Sequence, residues 1–320
     1  MHKQFPTWQL IYHSLQNNIE VMLLYVLESK GSSPGRQGFF MAVNATGEMS
    51  GSLGGGIMEY KFVELSRSRL AQPAGEISVH HQFHDKQASK NQSGMICSGE
   101  QTIFLYAVRL KDAEPISLLI RSLQQNKNGT LKLSPEGISF STNIPATDCT
   151  FEKKSDDDFM YLEKTGYKNY LYIIGGGHCA LAFSKLMNGM DFYIYLCDDR
   201  PELNTVAQNI FVQETKTLDD YGVLSTLIPA GKNIYVVIMT VGYRTDAVAL
   251  KALLGKDIKY IGILGSKYKI GKMFKDMRAE GVSPEMLKLI HAPIGISIKS
   301  QTPEEIAVSI AAEIIKVKNK

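Results

Sequence analysis

The chain alternates between short apolar runs, helical apolar stripes and polar breaks, and the order of these patterns changes near its middle. Thr7 to Gln16 is predicted as a helix, and Val21 to Leu27, apolar at every position, as a strand in a buried part of a sheet. Gly31-Ser32-Ser33-Pro34-Gly35 reads as a loop. Phe39 to Val43 and Met49 to Leu53 follow as strands joined by a turn at Asn44 to Glu48, and a helix over Ile57 to Leu70 comes after Gly54-Gly55-Gly56. Further strands are predicted at Ile77 to Phe83 and Thr102 to Val108, a helix near Pro115 to Gln125, and a hairpin around Leu131 to Phe140. Strands and helices do not alternate strictly here, which describes a mixed α+β domain. Thr147 to Lys168 carries Lys153-Lys154 and Asp156-Asp157-Asp158 with little periodicity, and is expected to be a linker.

Beyond it the pattern becomes regular. Strands at Tyr170 to Ile174, Phe192 to Leu196, Ile234 to Met239 and Tyr260 to Leu264 are interleaved with helices at His178 to Asn188, Asp246 to Leu254 and Lys267 to Glu280. Repeated strand-then-helix units require a parallel sheet. A last helix is announced by Thr302-Pro303-Glu304-Glu305, an N-cap, a first-turn proline and a capping-box glutamate, with Ile306, Ile310 and Ile314 on one face. The fold class is therefore α/β: a C-terminal Rossmann-like parallel sheet (166–320) preceded by a smaller mixed α+β N-terminal domain (1–165).

Composition narrows the function classes. Lys+Arg 35 against Asp+Glu 32 leaves a net charge of +3, too small for a nucleic-acid footprint. The longest apolar run is too short to span a bilayer and the N-terminus has no signal-peptide core, so a soluble chain without a membrane partner is expected. Cys97, Cys149, Cys179 and Cys197 are scattered without a CxxC pair, which fits a reducing, cytoplasmic setting and neither a disulfide framework nor a cysteine-rich zinc site.

The sharpest chemical signal is Gly175-Gly176-Gly177-His178-Cys179-Ala180, a GxGxxA pattern between an apolar strand and a helix, with Asp198 about 20 residues on at the end of the next strand. Glycines let a backbone approach a phosphate, a helix N-terminus supplies unpaired N–H groups, and the aspartate is the expected acceptor for a ribose hydroxyl. Gly175, Gly177, His178 and Asp198 are the candidates there; a Rossmann-shaped domain without a nucleotide is the alternative. Gly265-Ser266-Lys267, with Lys269 nearby, forms a second strand-to-helix junction that fits either a phosphate site or solvated surface. Gly51 to Gly56, followed by Glu59 and preceded in sequence by Arg36, fits either a structural turn or a main chain bared to a ligand, with Gly54, Gly55 and Gly56 as the contacts.

Cys97 lies in the glycine-flanked segment Gly94 to Gly99, where a thiol is accessible enough to carry sulfur, bind a soft metal or act as a nucleophile, although most lone cysteines are packing groups. His80, His81 and His84 sit on a predicted strand whose repeat spaces His80 and His84 too far apart for shared ligation, so they read as surface residues and no metal site is expected. No HExxH motif, GxSxG nucleophile elbow or Walker lysine loop is read from the sequence, so zinc peptidase, serine hydrolase and P-loop readings have no support.

Taken together these blocks resemble the XdhC/CoxI family of xanthine dehydrogenase accessory factors. The likeness is carried by Ser33-Pro34-Gly35-Arg36 with Gly38, by GSLGGGIME from Gly51 to Glu59, by Gly94 to Gly99, by Gly175 to His178 with Cys197-Asp198-Asp199-Arg200-Pro201-Glu202, and by YIGILGSK from Tyr260 to Lys267 with His291 to Gly295 and Thr302 to Ala307. Ser98 stands where the family usually has glycine, and Val241 to Asp246 lacks the family's usual histidine. The resemblance implies a cofactor-binding maturation chaperone more than a catalyst. Such a protein binds the molybdenum cofactor (molybdopterin), supports its sulfuration and delivers it to a xanthine dehydrogenase-type enzyme, with a cysteine desulfurase as sulfur source. On this reading Gly175, Gly177 and Asp198 take the phosphate-bearing part, Gly54, Gly55, Gly56 and Glu59 form an opposite wall, and Cys97 faces the sulfur or metal end. The rival is an NAD(P)-dependent oxidoreductase, for which no catalytic acid/base pair is legible. A homodimer is the default assembly on symmetry grounds, with no interface legible.

Overall fold

A computed structural model describes residues 2–72, 77–83 and 99–320. The chain divides into two compact units, Met1–Gly166 and Tyr167–Lys320, so the N-terminal unit is slightly the longer.

The first unit contains α1 (Phe5–Gln16), β1 (Val21–Gly31), β2 (Phe40–Asn44), β3 (Met49–Gly51), α2 (Gly56–Leu70), β4 (Ser78–Phe83), β5 (Gly99–Ala107), α3 (Ala113–Gln124), β6 (Gly129–Ser134), β7 (Gly137–Ser141), β8 (Cys149–Ser155) and β9 (Asp158–Thr165). One antiparallel sheet has the order β3-β2-β1-β5-β4, a second the order β7-β6-β9-β8. The unbroken apolar run of β1 is explained by burial on both faces. Leu23, Tyr25 and Leu27 enter one core with Trp8, Ile116, Leu131 and Tyr161, while Met22, Leu24 and Val26 enter another with Met58, Phe62 and Val63 of α2.

The expected linker at Thr147 to Lys168 is instead the β8–β9 hairpin, with Ser155 paired to Asp158 across the turn Asp156-Asp157. Its strand signal is a period of two: Phe159, Tyr161, Glu163 and Thr165 point inward. The lysines of β8 and the acidic turn conceal that period in the sequence. Glu163, 3% exposed, is fastened there by Tyr25 from the other sheet and by Tyr161, whose hydroxyls both donate to Oε2 at 2.6 and 2.7 Å. Burial, and then the nearby carboxylate, push both phenols well above the usual tyrosine range, so they remain donors.

The second unit contains β10 (Asn169–Ile174), α4 (His178–Met187), β11 (Phe192–Asp198), α5 (Asn204–Ala207), β12 (Glu214–Thr217), α6 (Leu224–Leu227), β13 (Gly231–Ile238), α7 (Tyr243–Leu253), β14 (Ile258–Ile263), α8 (Lys267–Ala279), α9 (Pro284–Lys288) and α10 (Pro303–Lys318). Its five strands are all parallel in the order β12-β11-β10-β13-β14, a Rossmann-type sheet. Leu171, Ile173, Tyr235 and Val237 pack under α4 and α10, whereas Tyr172, Ile174, Val236 and Ile238 pack under α7 and α8. The capping box of α10 is present: Glu305 N–H donates to Thr302 Oγ1 and the Glu305 carboxylate accepts from Thr302 N–H, each at 3.2 Å. The short polar strand β12, ETKT, has no apolar signal and is legible only from its pairing with β11.

Replacing Tyr25 or Tyr161 by Phe keeps the ring and removes one bond to a buried carboxylate. Each variant is expected to lose about 1–3 kcal/mol of unfolding free energy in urea denaturation; midpoints equal to wild type would show that these hydroxyls add nothing to the joint between the sheets.

Candidate functional site

The strand order places β10 between β11 on one side and β13 on the other, so chain direction across the sheet reverses beside β10. Ligands of open α/β sheets bind at the carboxyl edge of such a switch point. Here Ile174 is level with both Cys197 and Ile238, which brings the loop Gly175 to Gly177 alongside the loop Met239 to Gly242. Gly175, at φ +108°, is wedged so closely that a Cβ would stand 2.4 Å from the Met239 carbonyl oxygen; only glycine fits.

The helices that start at this edge differ in how their first N–H groups are satisfied. Ser266 caps α8 by accepting from Lys269 N–H at 3.2 Å, and Thr302 does the same for α10. The N-caps of α4 and α7 are Gly177 and Gly242, which offer no side-chain cap. A Cβ on either would meet nothing within 4 Å. Two adjacent helix ends thus present backbone donors and the positive end of a helix dipole toward open space. Sequence reasoning misses Gly242, although an apolar strand followed by glycine and a helix is the same signal that draws attention to Gly177.

His178 is exposed at the first position of α4. Cys179 follows, half-buried, its thiol pushed up by burial and then by Glu304, so it is a poor thiolate. Cys197 is fully buried and burial pushes it up to about 12. Cys97 and His84 lie outside the described residues.

Asp198, expected to await a ribose hydroxyl, is 3% exposed and already accepts four hydrogen bonds. Oδ1 takes the Arg200 backbone N–H at 2.8 Å and its Nε at 2.9 Å; Oδ2 takes Gly176 N–H at 2.6 Å and Arg200 Nη2 at 2.8 Å. Burial alone would raise its pKa, but the bonds from Arg200 and Gly176 outweigh it and hold the carboxyl below the usual carboxylate range.

At the second junction Gly265 and Ser266 are present as expected and Lys267 is exposed, but the Ser266 hydroxyl already closes its helix. Lys269 does not face a ligand either: its ammonium pairs with the fully buried Asp246 and donates to the Leu264 carbonyl at 3.2 Å. Asp246 in turn accepts from Thr240 N–H at 3.0 Å and its hydroxyl at 2.5 Å, fixing the Met239 to Gly242 loop.

In the first unit the Gly51 to Gly56 turn serves itself. Glu59 Oε2 accepts from Ser52 Oγ, Leu53 N–H and Gly55 N–H at 2.7, 2.8 and 3.0 Å, and Gly54 N–H donates to Ser52 Oγ at 3.0 Å, so these amides are taken by the chain's own groups. Gly54 packs on Pro34 and Gly35, where a Cβ would stand 2.4 Å from backbone atoms, and Gly56 opens α2. Arg36 Nη1 donates to the Gly31 carbonyl at 2.8 Å and braces its own loop. His80 and His81 fall on opposite faces of β4: His80 bonds Ser78 Oγ at 2.8 Å and packs on Phe62, and His81 meets Lys153 Nζ at 2.7 Å. Among the described residues no group of three or more His, Cys, Asp and Glu is placed to hold a metal ion, and no helix is long and apolar enough to cross a membrane.

Fold and site together define a two-unit protein whose C-terminal half is a Rossmann-type domain with glycine-capped helix ends at its switch point. A family model described as the XdhC Rossmann domain matches residues 171–314, and one described as the XdhC and CoxI family matches residues 14–81. The chain belongs to the XdhC/CoxI family. It is 25% identical over 308 residues to an uncharacterized protein of Escherichia coli (strain K12), YqeB, covering 95% of this chain and 44% of that protein. It is 26% identical over 163 residues to a probable xanthine dehydrogenase subunit from Bacillus subtilis (strain 168), covering 50% of this chain and 46% of that one. The chain thus spans less than half the length of these curated relatives. A crystal structure described as a xanthine dehydrogenase from Bacillus halodurans shares the fold, with a TM-score of 0.71 at 22% identity over 98% of this chain and 96% of that chain.

Asp198 stabilises the fold as a carboxylate. Because its folded pKa is depressed, its contribution is complete above the unfolded value near pH 4 and is lost as pH falls through the lower folded value. Asp198→Asn is expected to lower unfolding free energy by about 2 kcal/mol at neutral pH, with the gap from wild type narrowing below about pH 4; a gap independent of pH in thermal melts would contradict this.

Proposed function

We propose that this chain is an accessory factor for a xanthine dehydrogenase-type molybdenum hydroxylase, which holds the molybdenum cofactor, supports its sulfuration and passes it to the enzyme. Family membership and the name of the Bacillus subtilis relative support the class of client. The observation that carries the binding role is the pair of uncapped helix ends at Gly177 and Gly242.

Molybdopterin carries a phosphate monoester, and the open space at both glycines leaves room for such a group against backbone N–H donors. Gly177, His178, Gly242 and Tyr243 would supply those donors, while Thr240, held by Asp246, keeps the second loop in place. When bound, the cofactor supplies a metal centre at which an oxo ligand is exchanged for sulfur. A cysteine desulfurase is the sulfur source this reading requires, and Cys97 is the thiol assigned to the sulfur end on sequence grounds.

Gly177→Asp tests the reading. Its φ of −71° suits any residue, and an aspartate at an N-cap stabilises a helix by a few tenths of a kcal/mol relative to glycine while setting its own carboxylate on the free donors. After anaerobic purification, wild type is expected to release pterin, seen by fluorescence after oxidation, together with molybdenum. The variant is expected to melt no lower and to carry neither. Equal pterin in both proteins would remove this edge as the cofactor site.

A further inference from the structure

We infer that the edge of the second unit admits a phosphate monoester and rejects the adenosine half of a pyrophosphate-bridged dinucleotide, with Arg200 as the residue that sets this choice. The inference rests on the proposed cofactor site and narrows its ligand class.

A dinucleotide in a Rossmann domain sets its adenosine ribose on a carboxylate at the end of the second strand, beyond the first helix end, while its pyrophosphate passes the second glycine of the motif, here Gly177. Gly177 is open, but the carboxylate, Asp198, is occupied by the chain itself. Arg200 grips Asp198 through Nε and Nη2 as well as its backbone N–H, and Gly176 N–H takes a further position on Oδ2. A ribose diol arriving at this carboxylate must displace a charge-assisted, bidentate contact.

Gly176 is closed from both directions. Its N–H is spent on Asp198 and its carbonyl accepts from Thr205 Oγ1 at 2.5 Å. Where its Cβ would be, Val206 Cγ2 stands 2.3 Å away. The absence of a side chain at Gly176 therefore makes room for α5, not for a ligand.

A 2′-phosphorylated ribose fares no better than a plain one. Arg200 is the cation at this corner, and it lies against two carboxylates, with Asp199 Oδ1 at 3.6 Å from Nε in addition to Asp198. The local balance is negative. What stays open is the pair of glycine caps, a footprint for one phosphate.

The test is calorimetric titration of ADP-ribose, which carries both the adenosine ribose and the pyrophosphate, into wild type, Arg200→Ala and Arg200→Gln, with thermal melts to confirm folding. Wild type is expected to show no saturable binding into the millimolar range, and both variants to bind about tenfold or more tighter than that limit, because Asp198 regains free acceptor positions. Micromolar binding by wild type, or no gain in folded variants, would overturn the inference. Pterin recovery from wild type is measured in parallel. Exclusion of ADP-ribose without recovered pterin would sink the cofactor reading and leave the Arg200 clamp standing; recovered pterin with ADP-ribose bound by wild type would do the reverse.

Discussion

The parallel pairing of β10 with β11 on one side and β13 on the other is the constraint from which the rest follows. Parallel strands joined by helices end together at one edge, and the helices that follow them begin there. The register leaves Ile174, Cys197 and Ile238 at one level, so α4 and α7 start side by side. Cores on both faces of the sheet hold that register, since a slip of one residue would turn Tyr172 and Ile174 toward the α4 and α10 side. Gly175 answers the same constraint at the level of a single atom, because the Met239 carbonyl occupies the space of a side chain.

Helix ends and glycine turns are frequent, and several of them here are closed by the chain's own groups. Glu59 takes the Leu53 and Gly55 amides of the Gly51 to Gly56 turn, Ser266 caps α8, and Asp198 is held by Arg200 and Gly176. Lys269, which from its position in the sequence looks free to meet an anion, is neutralised by a buried aspartate. Each of these arrangements stabilises local structure by satisfying groups that would be costly to leave unpaired. Gly55 also caps α2 without a side-chain bond and with open space at its Cβ, but Gly177 and Gly242 are the pair that stand side by side at the carboxyl edge of the parallel sheet, where an incoming anion would complete both as Ser266 completes α8.

Much of this architecture is legible in the sequence because its signals are local. The apolar strands of the second unit, the glycine motif after β10 and the capping box at Thr302 each depend on neighbouring residues alone. The β8–β9 hairpin reads as a linker because its alternation lies among charged side chains that decorate its exposed face. β12 is invisible because an edge strand of polar residues owes its existence to the strand beside it. The candidate residues divide in the same way. Gly175 and Gly177 are identifiable from spacing, but the fate of Asp198, Glu59 and Lys269 depends on which partner reaches them first, and Arg200, Asp246 and Thr205 enter only through contacts across the fold.

The central claim is that backbone N–H groups at two adjacent helix ends receive the phosphate of a small cofactor. Amide resonances followed by two-dimensional NMR during titration with molybdopterin, under anaerobic conditions, read those groups directly. The account predicts the largest shifts at Gly177, His178, Gly242 and Tyr243, with little change at Leu53, Gly55 or Lys269, whose amides are already bonded within the chain. Shifts confined to the Gly51 to Gly56 turn or to the start of α8, with the ends of α4 and α7 unmoved, would contradict it.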